Sequence, residues 1–222
     1  MFLRSAVFLL LLHCLSGVAA AQSAADTNLS VNARFLIAAR DADAPGLERA
    51  LAAGASVNSR NRLGETALVI LLKNSKVDLA QMVLAAGADV NQAAVNGTTP
   101  LMAAAFNGQT AMAKELLDRG AAVAPLDRLQ KNAMTYAAGS GSTEIVVMLL
   151  AKGVDPNAVY SNDLTALMWA AGFGKTATVK ALLAAGAKPQ LKDNRGKTAA
   201  DMARDERFLE TATVLDAFGV SK

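Results

Sequence analysis

The chain has 222 residues and a formal net charge of +3, from 22 basic and 19 acidic side chains. That balance is too mild to argue for nucleic acid or an anionic membrane surface as a partner. One cysteine excludes a disulfide framework within the chain, and the 53 % hydrophobic content, mostly alanine and leucine, points to a packed protein.

Met1 to Ala21 reads as a secretory signal peptide. Arg4 supplies a positive start, Ala6 to Leu15 an apolar stretch and Ala19-Ala20-Ala21 a small-residue cleavage site before Gln22. An uncleaved anchor is the alternative, but the run is short against the roughly 20 residues a bilayer span needs. A lipoprotein is a second alternative, set against by His13 before Cys14. These two are the chain's only histidine and cysteine, so cleavage after Ala21 leaves neither. Nucleophilic triads built on His or Cys and most zinc sites are then excluded. Past Ala21 no apolar run has membrane length, so no membrane association is expected after cleavage. Gln22 to Val31, polar and small, reads as a flexible linker.

From there the chain repeats every 33 residues. Gly54, Gly87, Gly120, Gly153, Gly186 and Gly219 stand in register without insertion. An apolar pair precedes them at Ala50-Leu51, Val83-Leu84, Leu116-Leu117, Leu149-Leu150 and Leu182-Leu183, ending at Leu215-Asp216. The stride through Thr99 meets Thr66, Asn132, Thr165 and Thr198, and through Leu101 it meets Phe35, Leu68, Met134, Leu167 and Ala200. Thr or Asn before an apolar run predicts a helix N-cap, and Pro100 suits the first helical position. Small pairs such as Ala104-Ala105, Ala137-Ala138 and Ala170-Ala171 let two helices approach. Gly108, Gly141 and Gly174 separate the paired helices, and the six later glycines are predicted to close the second helix.

The units span about 32–60, 61–93, 94–126, 127–159, 160–192 and 193–222. In the first, Ala33 stands where the others have a capping residue, and Arg34, Arg40 and Asp41 give a polar edge. It reads as an N-terminal cap. Turns precede the later caps; Gly64 and Gly97 serve two of them, whereas Gln130 and Asp163 stand at the equivalent positions. The last unit carries Asp201, Arg204, Asp205, Glu206, Arg207 and Asp216, the polar outer face that a terminal repeat requires.

The period and the Thr-Pro-Leu pattern at Thr99-Pro100-Leu101 resemble the ankyrin repeat over about Asn32 to Gly219. The resemblance implies an all-α ankyrin-repeat solenoid of about six helix-turn-helix units with short turn or β-hairpin tips. Where the family prefers histidine after Thr-Pro-Leu, this chain has Leu36, Val69, Met102, Thr135, Met168 and Asp201, so that loop contact must be absent or replaced. Family members usually bind a protein on the face formed by turn tips and the first helices.

Mapped by the stride, that face carries Ile70, Lys73, Phe106, Tyr136, Tyr160, Trp169 and Phe173, the expected partner-binding residues. Of the eight aromatics beyond the signal segment, five lie there, in keeping with interface hot spots. The competing reading places Trp169 and Phe106 over neighbouring alanines as repeat-to-repeat core. Met82, Met102, Met112, Met134, Met148 and Met168 read as core filler rather than a copper box. No carboxylate pair recurs at acid–base spacing, and Gly139-Ser140-Gly141 lacks the lysine of a phosphate loop. No enzyme activity, cofactor or metal is expected.

The chain therefore reads as a monomeric, periplasmic binding module, exported by its signal peptide. Its partner is another exported protein, for instance an enzyme of oxidant defence. An immunity protein that occludes a periplasm-acting toxin is one alternative, and a secreted effector that binds host proteins is another.

Overall fold

The structure, a computed structural model, describes residues 29–220; the signal-peptide call and most of the linker call lie outside them. The chain divides into two compact units, up to Ser56 and from Val57 onward.

The first unit is one helix pair, α1 (Val31–Asp41) packed on α2 (Ala44–Ala52). Helix α1 begins earlier than the stride predicts. Ser30 is its cap, its Oγ accepting the Ala33 N–H at 3.2 Å, so Ala33 lies inside the helix. The polar edge is held by Arg40 on Asp41 at 2.8 Å.

The second unit holds five further pairs: α3 (Ala67–Lys73) with α4 (Val77–Ala85), α5 (Pro100–Phe106) with α6 (Thr110–Asp118), α7 (Ala133–Ser140) with α8 (Thr143–Ala151), α9 (Ala166–Gly172) with α10 (Thr176–Ala184), and α11 (Ala199–Asp205) with α12 (Leu209–Val220). Within it α3, α5, α7, α9 and α11 pack side by side in sequence, and α6, α8, α10 and α12 do the same behind them. This is the all-α solenoid the period implies. Leu68, Leu101, Met134 and Leu167, one stride apart, are all at most 1 % exposed.

The short first helices start where their caps dictate. Thr66, Thr99, Asn132, Thr165 and Thr198 each accept the backbone N–H three residues on. The missing histidines are replaced at most units. The cap residue's own N–H donates to Thr135 Oγ1 (3.0 Å) and Asp201 Oδ2 (3.0 Å), and weakly to the sulfurs of Met102 and Met168 (3.5 Å each). Val69 has no acceptor to offer.

Three positions of the repeat take a left-handed backbone: Gly54, Gly87, Gly120, Gly153 and Gly186 do so after the second helices, and two other turn positions share it. Between paired helices φ is positive at Ala42, Ser75, Gly108, Gly141, Gly174 and Arg207; at the tips it is positive at Gly64, Gly97, Gln130, Asp163 and Gly196. Solenoid geometry imposes this conformation even on residues that resist it. Each tip closes by two bonds, such as Ala94 N–H to Thr98 C=O with Gly97 N–H to Ala94 C=O, and Asp127 N–H to Lys131 C=O with Gln130 N–H to Asp127 C=O, all 2.9 Å. The tips are turns, and the β-hairpin expectation reduces to one isolated bridge, Val159 with Thr165, and a 3-10 turn at Ser161–Asp163.

Gly219 departs from the pattern. It lies inside α12 and does not close it. The C-terminal face is polar, with Arg204 bridging Asp216 at 2.5 Å and Asp201 at 3.1 Å, and Lys197 pairing with Asp205. Among the described residues no helix is long and apolar enough to cross a membrane.

Candidate binding face

The first helices end in side chains that their neighbours do not cover. Helix α5 is fully buried from Pro100 to Ala105 and then presents Phe106, 62 % exposed. Helix α9 does the same with Phe173 just past its end, 53 % exposed. Between them stand two half-buried aromatics four residues after their caps, Tyr136 on α7 and Trp169 on α9.

These rings form one row. Phe106 meets Tyr136 edge-on with centroids 5.8 Å apart, and Trp169 stacks on Phe173 at 6.0 Å. The two pairs are joined by Lys131, whose Nζ lies 4.1 Å from the Trp169 ring centre and 5.7 Å from that of Tyr136. A cation over two π faces suits the quadrupole of each. Gly139 lies against the row: a Cβ there would stand in ordinary contact with Phe173 at 3.6 Å and Trp169 at 3.8 Å.

The row is anchored from below by Asp127. Its Oδ1 accepts the N–H groups of Leu129 (2.8 Å) and Lys131 (3.0 Å), shaping the tip, while its Oδ2 accepts the Tyr136 hydroxyl at 2.5 Å. Burial, reinforced by the Asp127 hydrogen bond and charge, pushes the Tyr136 phenol well above its ordinary range, so it stays a donor. Tyr160 accepts from Asn132 Nδ2 at 2.9 Å. Its pKa is also raised, chiefly by burial and by Asp155, against the Asn132 bond.

The expected binding residues thus separate. Phe106, Tyr136, Trp169 and Phe173 come together in one row, and Tyr160 sits in the adjoining tip junction. Of the two residues with a competing core reading, Trp169 combines both, since Lys131 of the preceding repeat lies over a ring that stays half exposed, whereas Phe106 is 62 % exposed. Ile70 must be corrected: it is 7 % exposed and belongs to the buried packing of α3. At that stride position Ala103 and Met202 are buried too, whereas Ile37, Tyr136 and Trp169 are half-buried. Lys73 is exposed but engaged, its Nζ 2.5 Å from Glu65, which also accepts from Asn61 at 2.9 Å. Burial alone would raise the Glu65 pKa, but the Lys73 and Asn61 bonds hold it below the usual value. Sequence reasoning missed Lys131 and Asp127. The stride could have found Asp127, since Asn61 and Asp193 occupy equivalent positions and fold their tips the same way.

Among the described residues no three His, Cys, Asp or Glu side chains are grouped to hold a metal ion. What the face offers is flat aromatic area, a fixed cation and exposed apolar tips: Leu63, Val95, Leu129 and Val159 are each more than half exposed. That combination suits contact with another protein's surface, where large rigid rings bury area at little entropic cost.

The family model described as ankyrin repeats (three copies) matches residues 35–127, 76–160 and 134–217. A search of curated proteins finds no significant match. The three matches together run through nearly all of both helical units, and with the caps, tips and stacked helix pairs they lead to one conclusion: the chain belongs to the ankyrin-repeat family of protein–protein interaction modules.

Proposed function

We propose that this protein is a non-catalytic binding module of the periplasm, which holds and supports another exported protein against the aromatic row of α5, α7 and α9. The observation that carries the reading is the row itself, Phe106–Tyr136–Lys131–Trp169–Phe173, because its outer rings are exposed and the cation between them is held in place. The signal-like segment at Met1 to Ala21 supports the periplasmic assignment, and an enzyme of oxidant defence is the class of partner we put first.

The test is a tagged pull-down from the exported fraction, comparing the intact protein with Phe106→Ser plus Phe173→Ser. These rings are more than half exposed, so the variant retains its helical circular dichroism. One dominant partner captured by the intact protein and lost by the variant is expected. A partner held equally by both moves the site off this face, and no partner at all counts against the module. Fractionation after osmotic shock checks the location, and the expected mature chain begins at Gln22. Retention in the cytoplasm with Met1 still attached overturns the export reading. Sensitivity to peroxide on deletion is expected if the partner is an oxidant-defence enzyme.

A further inference from the structure

The tips of the second unit are linked by a ladder of backbone bonds. Val95 N–H donates to Leu63 C=O at 2.9 Å, Arg128 N–H to Asn96 C=O at 2.9 Å, and Asn194 N–H to Asn162 C=O at 3.1 Å. The equivalent rung, Ser161 N–H to Leu129 C=O, is not made, and among the described residues neither group has another hydrogen-bond partner. The tip at Tyr160 follows a different course, with a 3-10 turn and positive φ at both Asn162 and Asp163. A cavity of about 400 Å³ lies at this place, lined by Arg128, Leu129, Lys131, Tyr160, Ser161 and Trp169 among others.

Its chemistry is one-sided. Two cations, Arg128 and Lys131, line the cavity and no carboxylate does; Asp163, on the same tip, is not among the lining residues. Arg128 is exposed and makes no ion pair among the described residues. Lys131 gives its ring contacts from one side and keeps ammonium donors for an acceptor. Leu129, 63 % exposed, and the open edge of Trp169 supply an apolar wall.

We propose that this gap receives an extended segment of the protein partner that carries an aspartate or glutamate beside an apolar residue. The carboxylate meets Arg128 and Lys131, the apolar side chain lies on Leu129 and Trp169, and the segment's backbone takes the Ser161 N–H and the Leu129 C=O that complete the ladder elsewhere. This is strand addition confined to one missing rung, with opposite charge setting the choice of segment. It rests on the reading of this face as the protein-binding one and specifies what the face selects.

The test pans a phage library of random dodecapeptides on the intact protein, then titrates the selected sequences as synthetic peptides. Trp169 is the chain's only tryptophan, so its fluorescence reports the cavity directly. The expected pool is enriched in Asp or Glu next to an apolar residue. Its peptides change Trp169 emission, shift the Ser161 amide resonance, and bind at least tenfold more weakly to Arg128→Glu, which keeps its helical signal. A neutral or basic pool, binding untouched by Arg128→Glu, an unmoved Ser161 amide or an empty pool each overturns the proposal. Neutral peptides that bind the intact protein but not Phe106→Ser plus Phe173→Ser would sink this inference and leave the aromatic row as the binding face. Peptides indifferent to all these substitutions would sink both.

Discussion

The junction between the α3/α4 and α5/α6 pairs and the junction between α7/α8 and α9/α10 solve the same stacking problem by different means. The first is polar. Asn107 Nδ2 donates to Leu72 C=O at 2.9 Å, Gln109 Nε2 donates to the same oxygen at 2.7 Å, and the tip rung from Val95 to Leu63 is closed. These bonds add two side-chain donors to a helix-end carbonyl that also accepts the Ser75 N–H at 3.1 Å. One and two strides later, the residues equivalent to Asn107 are Ser140 and Phe173, and those equivalent to Gln109 are Ser142 and Lys175. At the second junction, therefore, the amides are gone. Phe173 lies against Gly139, the Lys175 methylenes lie over Gly141, and Lys131 spans to Trp169. Both junctions keep the outer loop bond, Ala122 N–H to Asn91 Oδ1 and Lys188 N–H to Asn157 Oδ1, each 2.8 Å. The repeat thus tolerates an exchange of hydrogen bonds for rings on the candidate face, where the aromatic row and the cavity lie.

The comparison breaks most severely at a tip. At Gly97, with φ +84°, an added Cβ would stand 2.7 Å from the Asp127 Cα, backbone against backbone. Gly97→Val is expected to cost about 3 kcal/mol, adding overpacking to left-handed strain, read as a fall in the urea midpoint. Gly120→Val, where nothing lies within 4 Å, should show only the strain, about 1–2 kcal/mol. Equal losses would deny the close approach of the tips.

Next in size, Trp169→Ala is expected to cost about 2 kcal/mol, less than a fully buried ring would because Trp169 is half exposed. Asn107→Ala should cost about 1 kcal/mol at the polar junction. If Trp169→Ala is neutral in denaturant titrations while Asn107→Ala is not, the rings do not replace the amides, and the contrast fails.

Gln130→Gly is a smaller change and of opposite sign. Gln130 holds φ at +57°, so glycine should raise stability by about 0.5–1 kcal/mol once its own entropy cost is set against the relieved strain. A fall in the thermal midpoint would show that the Gln130 side chain supports the tip.

The smallest effect is one of pH. The Glu65 pKa is lowered in the fold, so its contribution is fully present above the unfolded value near 4.5 and is lost as pH falls through the depressed one. Glu65→Gln should lower stability modestly in the neutral region and converge with the parent protein at acid pH, so that the acid limb of the curve flattens. An acid limb that keeps its slope would assign it to other carboxylates.

Much of this architecture was legible because each repeat uses the same local devices. Thr99 and its stride partners cap as expected, since an N-cap needs only its own side chain and a nearby N–H. The left-handed positions were legible only where glycine marked them. Ala42, Ser75 and Arg207 take the same conformation as Gly108 without advertising it. Ser30 was missed as a cap because the first unit does not follow the stride. On the candidate face, Phe106, Tyr136, Trp169 and Phe173 were found by counting. Ile70, counted by the same rule, is covered, because the rule locates a backbone position and says nothing of how far its side chain reaches beyond its neighbours.

The sequence by itself determined the period, the helix pairs, their caps and the set of residues that share a face, since these depend on groups within a few residues of one another. Only the tertiary structure decided that Lys131 lies over Trp169, that Asp127 anchors Tyr136, and that one rung of the tip ladder is missing. The first and last of these join residues roughly 30 or more positions apart, and all three depend on how side chains of similar pattern but different size settle against the next repeat. A repeating sequence specifies where such contacts can form, whereas the distances on which they depend are set by packing.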